Sequence, residues 1–203
     1  MSFELINPTL EYQESFLRFV DELVEAKDPF FGQYTKYASF DKKQLKENFY
    51  SYKVKPLLDA QAGIGLKEGH VPDSTLWLVD TNTKDILGRF SIRHRLTPAL
   101  SEFGGHIGYV IRPSARKHGY AKIGLDLSLD YCREKLSLPE ILVTCDARNE
   151  ASYRTIIGRM NEWGGRIETP LALKDCDIFK SNPYHTINKN NIELRFWLKT
   201  NKK

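Results

Sequence analysis

The segment from Gly108 to Ala121 constrains the fold most. An apolar run, Gly108-Tyr109-Val110-Ile111, passes through Arg112-Pro113 and a short basic turn straight into a helical pattern. Unpaired N–H groups at a helix head, together with the helix dipole, make an anion site. Gly119 would let the backbone approach a phosphate closely, and Ala121 is small for the same reason. Arg116, Lys117 and Lys122 add positive charge around the turn. An ordinary strand-to-helix turn is the plain alternative. The chain has no Walker-type phosphate loop, and Gly63, Gly65 and Gly69 neither follow a strand nor fit a dinucleotide fingerprint.

The surroundings read as alternating layers. Phe16, Phe19, Val20, Leu23 and Val24 follow helical spacing, and a second helix opens at Asp41 as N-cap, with Gln44 three residues on and Leu45, Phe49 and Tyr52 along its inner face. From Thr75 the period changes to two. Leu76–Val79 and Ile86–Arg93 read as strands joined by the turn residues Asp80–Asp85. A further strand is expected from His106 to Arg112. It is followed by a helix over about His118 to Leu136, with Leu125, Leu129, Cys132 and Leu136 on one face. Ile141–Cys145 reads as a buried strand, Asn149 as the N-cap of the next helix, and Ile192, Leu194, Phe196 and Leu198 as the inner face of a last strand. The class is a mixed α/β sheet.

Composition bounds the rest. With 203 residues, 41% hydrophobic and 28% charged, and with no linker or repeat, the chain reads as one domain spanning 1–203. No stretch is apolar enough to span a membrane and the start lacks a signal pattern, so a cytoplasmic location is expected. Cys132, Cys145 and Cys176 are odd in number and widely spaced, which supports neither a disulfide framework nor a zinc site; no metal is expected. A formal net charge of +4 suits a polyanionic small molecule as well as it suits RNA.

Arg116-Lys117-His118-Gly119-Tyr120-Ala121 resembles the signature of the GNAT superfamily of acyl-CoA-dependent N-acyltransferases, Arg/Gln-x-x-Gly-x-Gly/Ala at the head of a helix. The context agrees over roughly Thr75 to Glu168: Val110-Ile111-Arg112-Pro113 before it, the long helix after it, Val143-Thr144-Cys145-Asp146, then Asn149-Glu150-Ala151-Ser152. Gly104-Gly105-His106-Ile107-Gly108-Tyr109, preceded by Ile92-Arg93-His94, resembles a poorly characterised bacterial branch of predicted acetyltransferases.

The resemblance implies a single domain with helices on both faces of a mixed sheet, splayed between the adjacent parallel strands at Ile107–Ile111 and Ile141–Cys145. An N-terminal helical region, about 1–72, would shape the acceptor side, 75–168 would form the acetyl-CoA core, and 191–199 the last strand. The backbone of Val110 and Ile111 would pair with the pantetheine arm, and the N–H groups of Arg116, Lys117, His118, Gly119, Tyr120 and Ala121 would hold the pyrophosphate. Asn149 and Ser152 would reach the same ligand, or simply cap their helix.

Acetyl transfer to an amine needs a group to take the proton of a mostly protonated nucleophile. The strand from Gly105 to Ile111 holds no Glu, so His106 or His94 is the expected base, each with a purely structural reading beside it. The family position for a tyrosine acid, seven residues beyond Asn149, holds Ile156; Tyr153 is the nearest phenol.

The leading expectation is an acetyl-CoA-dependent N-acetyltransferase acting by direct attack on a primary amine, of a small molecule or a protein, without metal. A homodimer is compatible with this reading. The alternative is a catalytically silent acyl-CoA-binding or sensing domain. An RNA- or partner-binding role for Lys189–Lys203 with Trp197 is less economical than a solvated edge strand and tail.

Overall fold

The computed structural model describes residues 2–27, 42–172 and 192–201. The expected cap at Asp41, Cys176 and both ends of the basic tail, 189–191 and 202–203, lie outside them. Eight strands hydrogen-bond in the order β1-β2-β3-β4-β5-β8-β6, with β7 alongside β8. These are β1 (Phe3–Ile6), β2 (Asp73–Asp80), β3 (Asp85–Arg93), β4 (Ile107–Ile111), β5 (Glu140–Asp146), β6 (Gly165–Ile167), β7 (Leu171–Ala172) and β8 (Ile192–Lys199). The helices are α1 (Gln13–Ala26), α2 (Lys42–Glu47), α3 (Lys55–Gln61), α4 (Pro98–Glu102), α5 (Tyr120–Leu136) and α6 (Glu150–Trp163). The sheet is mixed and open, as expected: β4 and β5 pair parallel at Ile107↔Val143, while β1 with β2 and β5 with β8 pair antiparallel.

The chain divides into two compact units, Met1–Ser91 with Tyr109–Gly124, and Ile92–Gly108 with Leu125–Lys203. In the first, α1 buries Phe16, Phe19, Val20 and Leu23 against Trp77, Val79, Ile86 and Val110. The ring of Phe16 lies 5.3 Å from Trp77 and 5.4 Å from Phe49. Such aromatic contacts supply more buried area per residue than aliphatic ones.

Between α2 and α3 the chain makes a π-helical turn, Tyr50–Val54, and here the structure departs from the expected helix face. Leu45 and Phe49 point inward, but Tyr52 is 53% exposed and Lys53 is only 8% exposed. The wider turn advances the inward phase by one residue, so Lys53 and Val54 occupy the place that α-helical spacing gives to Tyr52.

In the second unit, β5 and β8 form the longest recorded ladder, from Glu140↔Lys199 to Asp146↔Glu193. At its start β8 inverts the alternation read from sequence: Ile192 is 47% exposed and Glu193 is buried. Gly105 has φ +58°, and a Cβ there would sit 2.5 Å from the Leu142 carbonyl, so only glycine lets the chain come this close to β5. The helices of this unit are tied by Arg159, which pairs with Asp126 at 2.7 Å and with Glu162 at 2.6 Å, and by Trp163 Nε1, which donates to Asp126 at 2.7 Å. Among the described residues no helix is long and apolar enough to cross a membrane.

Candidate functional site

Strand β4 ends at Ile111 and the chain turns through a 3-10 turn, Pro113–Ala115. That turn is pinned to α1. Glu22 accepts from the Ser114 amide at 2.9 Å and from Arg112 Nε at 2.6 Å. Burial pushes the Glu22 carboxyl up, but Ser114 and Arg112 outweigh it and hold the group below its ordinary range. Arg112 also faces Asp85 at 3.4 Å, so two carboxylates neutralise it and its task is positioning.

Beyond this anchor lies the segment expected to hold an anion. Lys117 and Gly119 both have positive φ, 65° and 83°, and α5 begins at Tyr120. Left-handed residues of this kind occur in the concave backbone nests that bind phosphate. Among the described residues, the N–H groups of Lys117, His118, Gly119, Tyr120 and Ala121 have no recorded acceptor in turns or loops. The helix dipole adds to them.

A Cβ on Gly119 would meet nothing within 4 Å. The glycine is therefore required by φ, and space remains open beside it. Tyr120 and His118 stack on one another at 6.0 Å, and Tyr120 packs edge-on against Phe3 at 5.2 Å, which fixes the turn through side chains and leaves its amides available. A cleft of about 320 Å³ opens against this loop, lined in part by Arg112, Ser114, His118 and Tyr120. Arg116 Nε donates to the Ile111 carbonyl at 3.2 Å, while Lys117 and Lys122 are exposed. Val110 and Ile111 are buried on β4, leaving only their backbone for contact with a ligand.

Of the two histidines, His106 precedes β4 and is 5% exposed. Its Nδ1 accepts from the Leu142 amide at 2.9 Å, and its own amide donates to the Leu142 carbonyl at 2.7 Å. With the Nδ1 lone pair engaged, the neutral ring carries its hydrogen on Nε2 and has no free lone pair for an incoming proton. Burial, with the Arg93 guanidinium adding to it, pushes His106 down to about 4. Both facts describe a neutral structural imidazole. His94 stands one residue past β3 and is half-buried.

Asn149 caps α6, its Oδ1 accepting from the Ser152 amide at 3.1 Å. Ser152 bonds the Cys145 thiol. Tyr153 is exposed, with its ring 6.0 Å from Phe196, and Ile156 is fully buried.

Sequence reasoning passed over Glu193. The carboxyl is 4% exposed, it hydrogen-bonds Thr144, and Asp146 faces it across the ladder. Burial, with Asp146 adding to it, pushes Glu193 up to about 7, the range of a proton acceptor at neutral pH. Its neighbourhood in the alternating β8 pattern could not reveal this, because the signal is the absence of solvent. Burial pushes both Cys132 and Cys145 up to about 12, so neither offers a thiolate near neutrality.

Residues 20–157 match the family model for the acetyltransferase (GNAT) domain, and the chain belongs to that family. No curated protein matches it in sequence. Among solved structures it is similar to a GNAT-family acetyltransferase from Bacillus anthracis, with 16% identity, 98% of this chain and 96% of that one covered, and a TM-score of 0.58. It is also similar to RimL, a ribosomal-protein alpha-N-acetyltransferase in complex with coenzyme A (13% identity, 98% and 94% covered, TM-score 0.62). A third is a spermidine N-acetyltransferase chimera from Vibrio cholerae and hSSAT (15% identity, 98% and 96% covered, TM-score 0.59). At these identities the likeness is one of fold.

Proposed function

We propose that the protein transfers an acetyl group from acetyl-CoA to a primary amine by direct attack, with the loop from Arg116 to Ala121 holding the pyrophosphate. The observation that carries this reading is the run of amides from Lys117 to Ala121, which no turn or loop acceptor among the described residues engages, with positive φ at Lys117 and Gly119. A diphosphate accepts several such N–H groups at once, and the open space beside Gly119 admits it at backbone distance. The co-substrate supplies an activated thioester. The backbone of Val110 and Ile111 orients its arm, and a peptide N–H there would stabilise charge developing on the thioester oxygen.

Direct attack is favoured over a cysteine-borne acyl group because both described thiols are buried and stay protonated near neutrality. His106 is assigned to structure, since its Nδ1 is committed to Leu142. The amine proton then falls to His94, half-buried one residue past β3. Tyr153, exposed on α6, is the nearest phenol in sequence to the family position for an acid, and a CoA thiolate leaves without one. The N-terminal region, about 1–72, shapes the acceptor side. The chain as a whole acts as one acetyltransferase module within the cytoplasm.

An amine panel monitored by release of free CoA thiol tests the reading. Steady release with one amine class supports it. Tight acetyl-CoA binding with no release for any amine would favour the silent sensing domain instead.

A further inference from the structure

We infer that Glu22 on α1 is a positioning residue for the co-substrate: by holding the turn Pro113–Ala115 it sets the loop from Lys117 to Ala121 for the pyrophosphate, without touching the ligand. This rests on the acetyl-CoA reading above and adds to it a residue from outside the signature.

The Arg112 amide still bonds the Leu87 carbonyl of β3 at 2.9 Å, and beyond it the amides fall into two groups. Ser114 donates to Glu22 Oε2 at 2.9 Å, Ala115 to the Arg112 carbonyl at 2.9 Å and Arg116 to the Pro113 carbonyl at 3.3 Å. From Lys117 to Ala121 no turn or loop acceptor among the described residues engages an amide. Two of the three filled bonds close within the turn, so they shape it without fixing where it stands. The bond from Ser114 leaves the turn for a helix 92 residues away in sequence.

Arg112 makes the hold two-sided. Its Nε donates to Glu22 Oε1 at 2.6 Å and its Nη1 faces Asp85 at 3.4 Å. Asp85 is itself tied to α1, accepting from Arg18 Nη2 at 2.8 Å and from Ser15 Oγ at 3.2 Å. Ser15, Arg18 and Glu22 stand three and four residues apart, so one side of α1 presents all three. Burial pushes the Glu22 and Asp85 carboxyls up, but their hydrogen bonds and the guanidinium charges outweigh it, so both stay ionised near neutrality. Two carboxylates and two guanidinium groups balance in charge. The network therefore brings a phosphate no net attraction of its own, and its contribution is to hold the turn by charge-assisted bonds at the head of the loop.

Calorimetry of the full chain with acetyl-CoA tests this in Glu22→Gln, Arg112→Gln and the double variant. Glu22→Gln keeps the length of the side chain, removes its charge and sets an amide N–H2 group against a donor. The side chain is 25% exposed, so the variant should remain folded. The expected result is a Kd for acetyl-CoA raised about 3- to 30-fold in each single variant, with the double no weaker than the weaker single, because both residues act through one turn. In thiol release with the panel amine that the parent turns over fastest, KM for acetyl-CoA should rise by the same factor while kcat holds at the parent value. A parent Kd in folded Glu22→Gln, even with a lower melting temperature, makes the residue a structural prop alone and overturns the inference. A double variant whose loss is the product of the two singles, or a fall in kcat with KM unchanged, also overturns it, and each of these leaves acetyl transfer standing. If the parent itself binds no acetyl-CoA, both readings fall.

Discussion

His106 accepts a hydrogen bond from the Leu142 amide at 2.9 Å, which favours a structural reading over a catalytic one. Replacing it with Ala leaves the buried Leu142 amide without its acceptor and opens a cavity, a cost of about 2 to 4 kcal/mol in a denaturant titration. Its pKa lies below that of an unfolded-chain histidine, so the stability it contributes is present above about 6.5 and is lost as pH falls toward about 4. Glu193 carries the opposite sign. Its pKa is raised, so its contribution is present below about 4.5 and is lost as pH rises through about 7. Glu193→Gln should therefore gain stability over the parent at pH 8 relative to pH 5; an equal difference at both values would contradict the burial argument. For turnover, kcat/KM should rise with pH through a limb near the ordinary histidine range. His94→Gln should lower it by about 10² to 10⁴, and His106→Gln should not move the limb. Parent rates in His94→Gln across pH 6 to 9 would leave the reaction without the proposed base.

At the scale of elements, hydrophobic period was a good guide wherever the segment was long. The α1 face, the β2 and β3 runs, α5 and β5 all stand where apolar spacing puts them, because long amphipathic segments have one way to bury their stripe. The short pieces β1, α4, β6 and β7, of two to five residues, carry too few positions for a period to be read. Tyr52 and Lys53 exchange places because a π turn alters the count by a residue, which composition does not announce. In the same way the GNAT-like hexapeptide was legible as the turn between a strand and α5, whereas Leu142 as partner of His106 and Thr144 as partner of Glu193 were not. Those partners come from strand register between distant segments. Gly105 belongs to this scale too: Gly105→Ala sets a methyl against the Leu142 carbonyl in a left-handed backbone, and should lower the melting temperature by several degrees. An unchanged melting temperature would mean that the β5 approach is looser than its geometry.

For the whole molecule, the central claim is that the loop before α5 is an acyl-CoA cradle on a GNAT fold. Calorimetry and thermal melting of the full chain with acetyl-CoA test it most directly. At about 100 times Kd, ligand linkage stabilises the fold by about 2.7 kcal/mol, which for a chain of this size raises the melting temperature by about 5 to 11 °C. Gly119→Glu should abolish the rise by setting bulk and like charge where the pyrophosphate lies, in a protein that still melts cooperatively. A clear shift in the parent, lost in that variant, is the predicted result. No heat of binding and no shift at saturating acetyl-CoA, or binding retained in folded Gly119→Glu, would contradict the account.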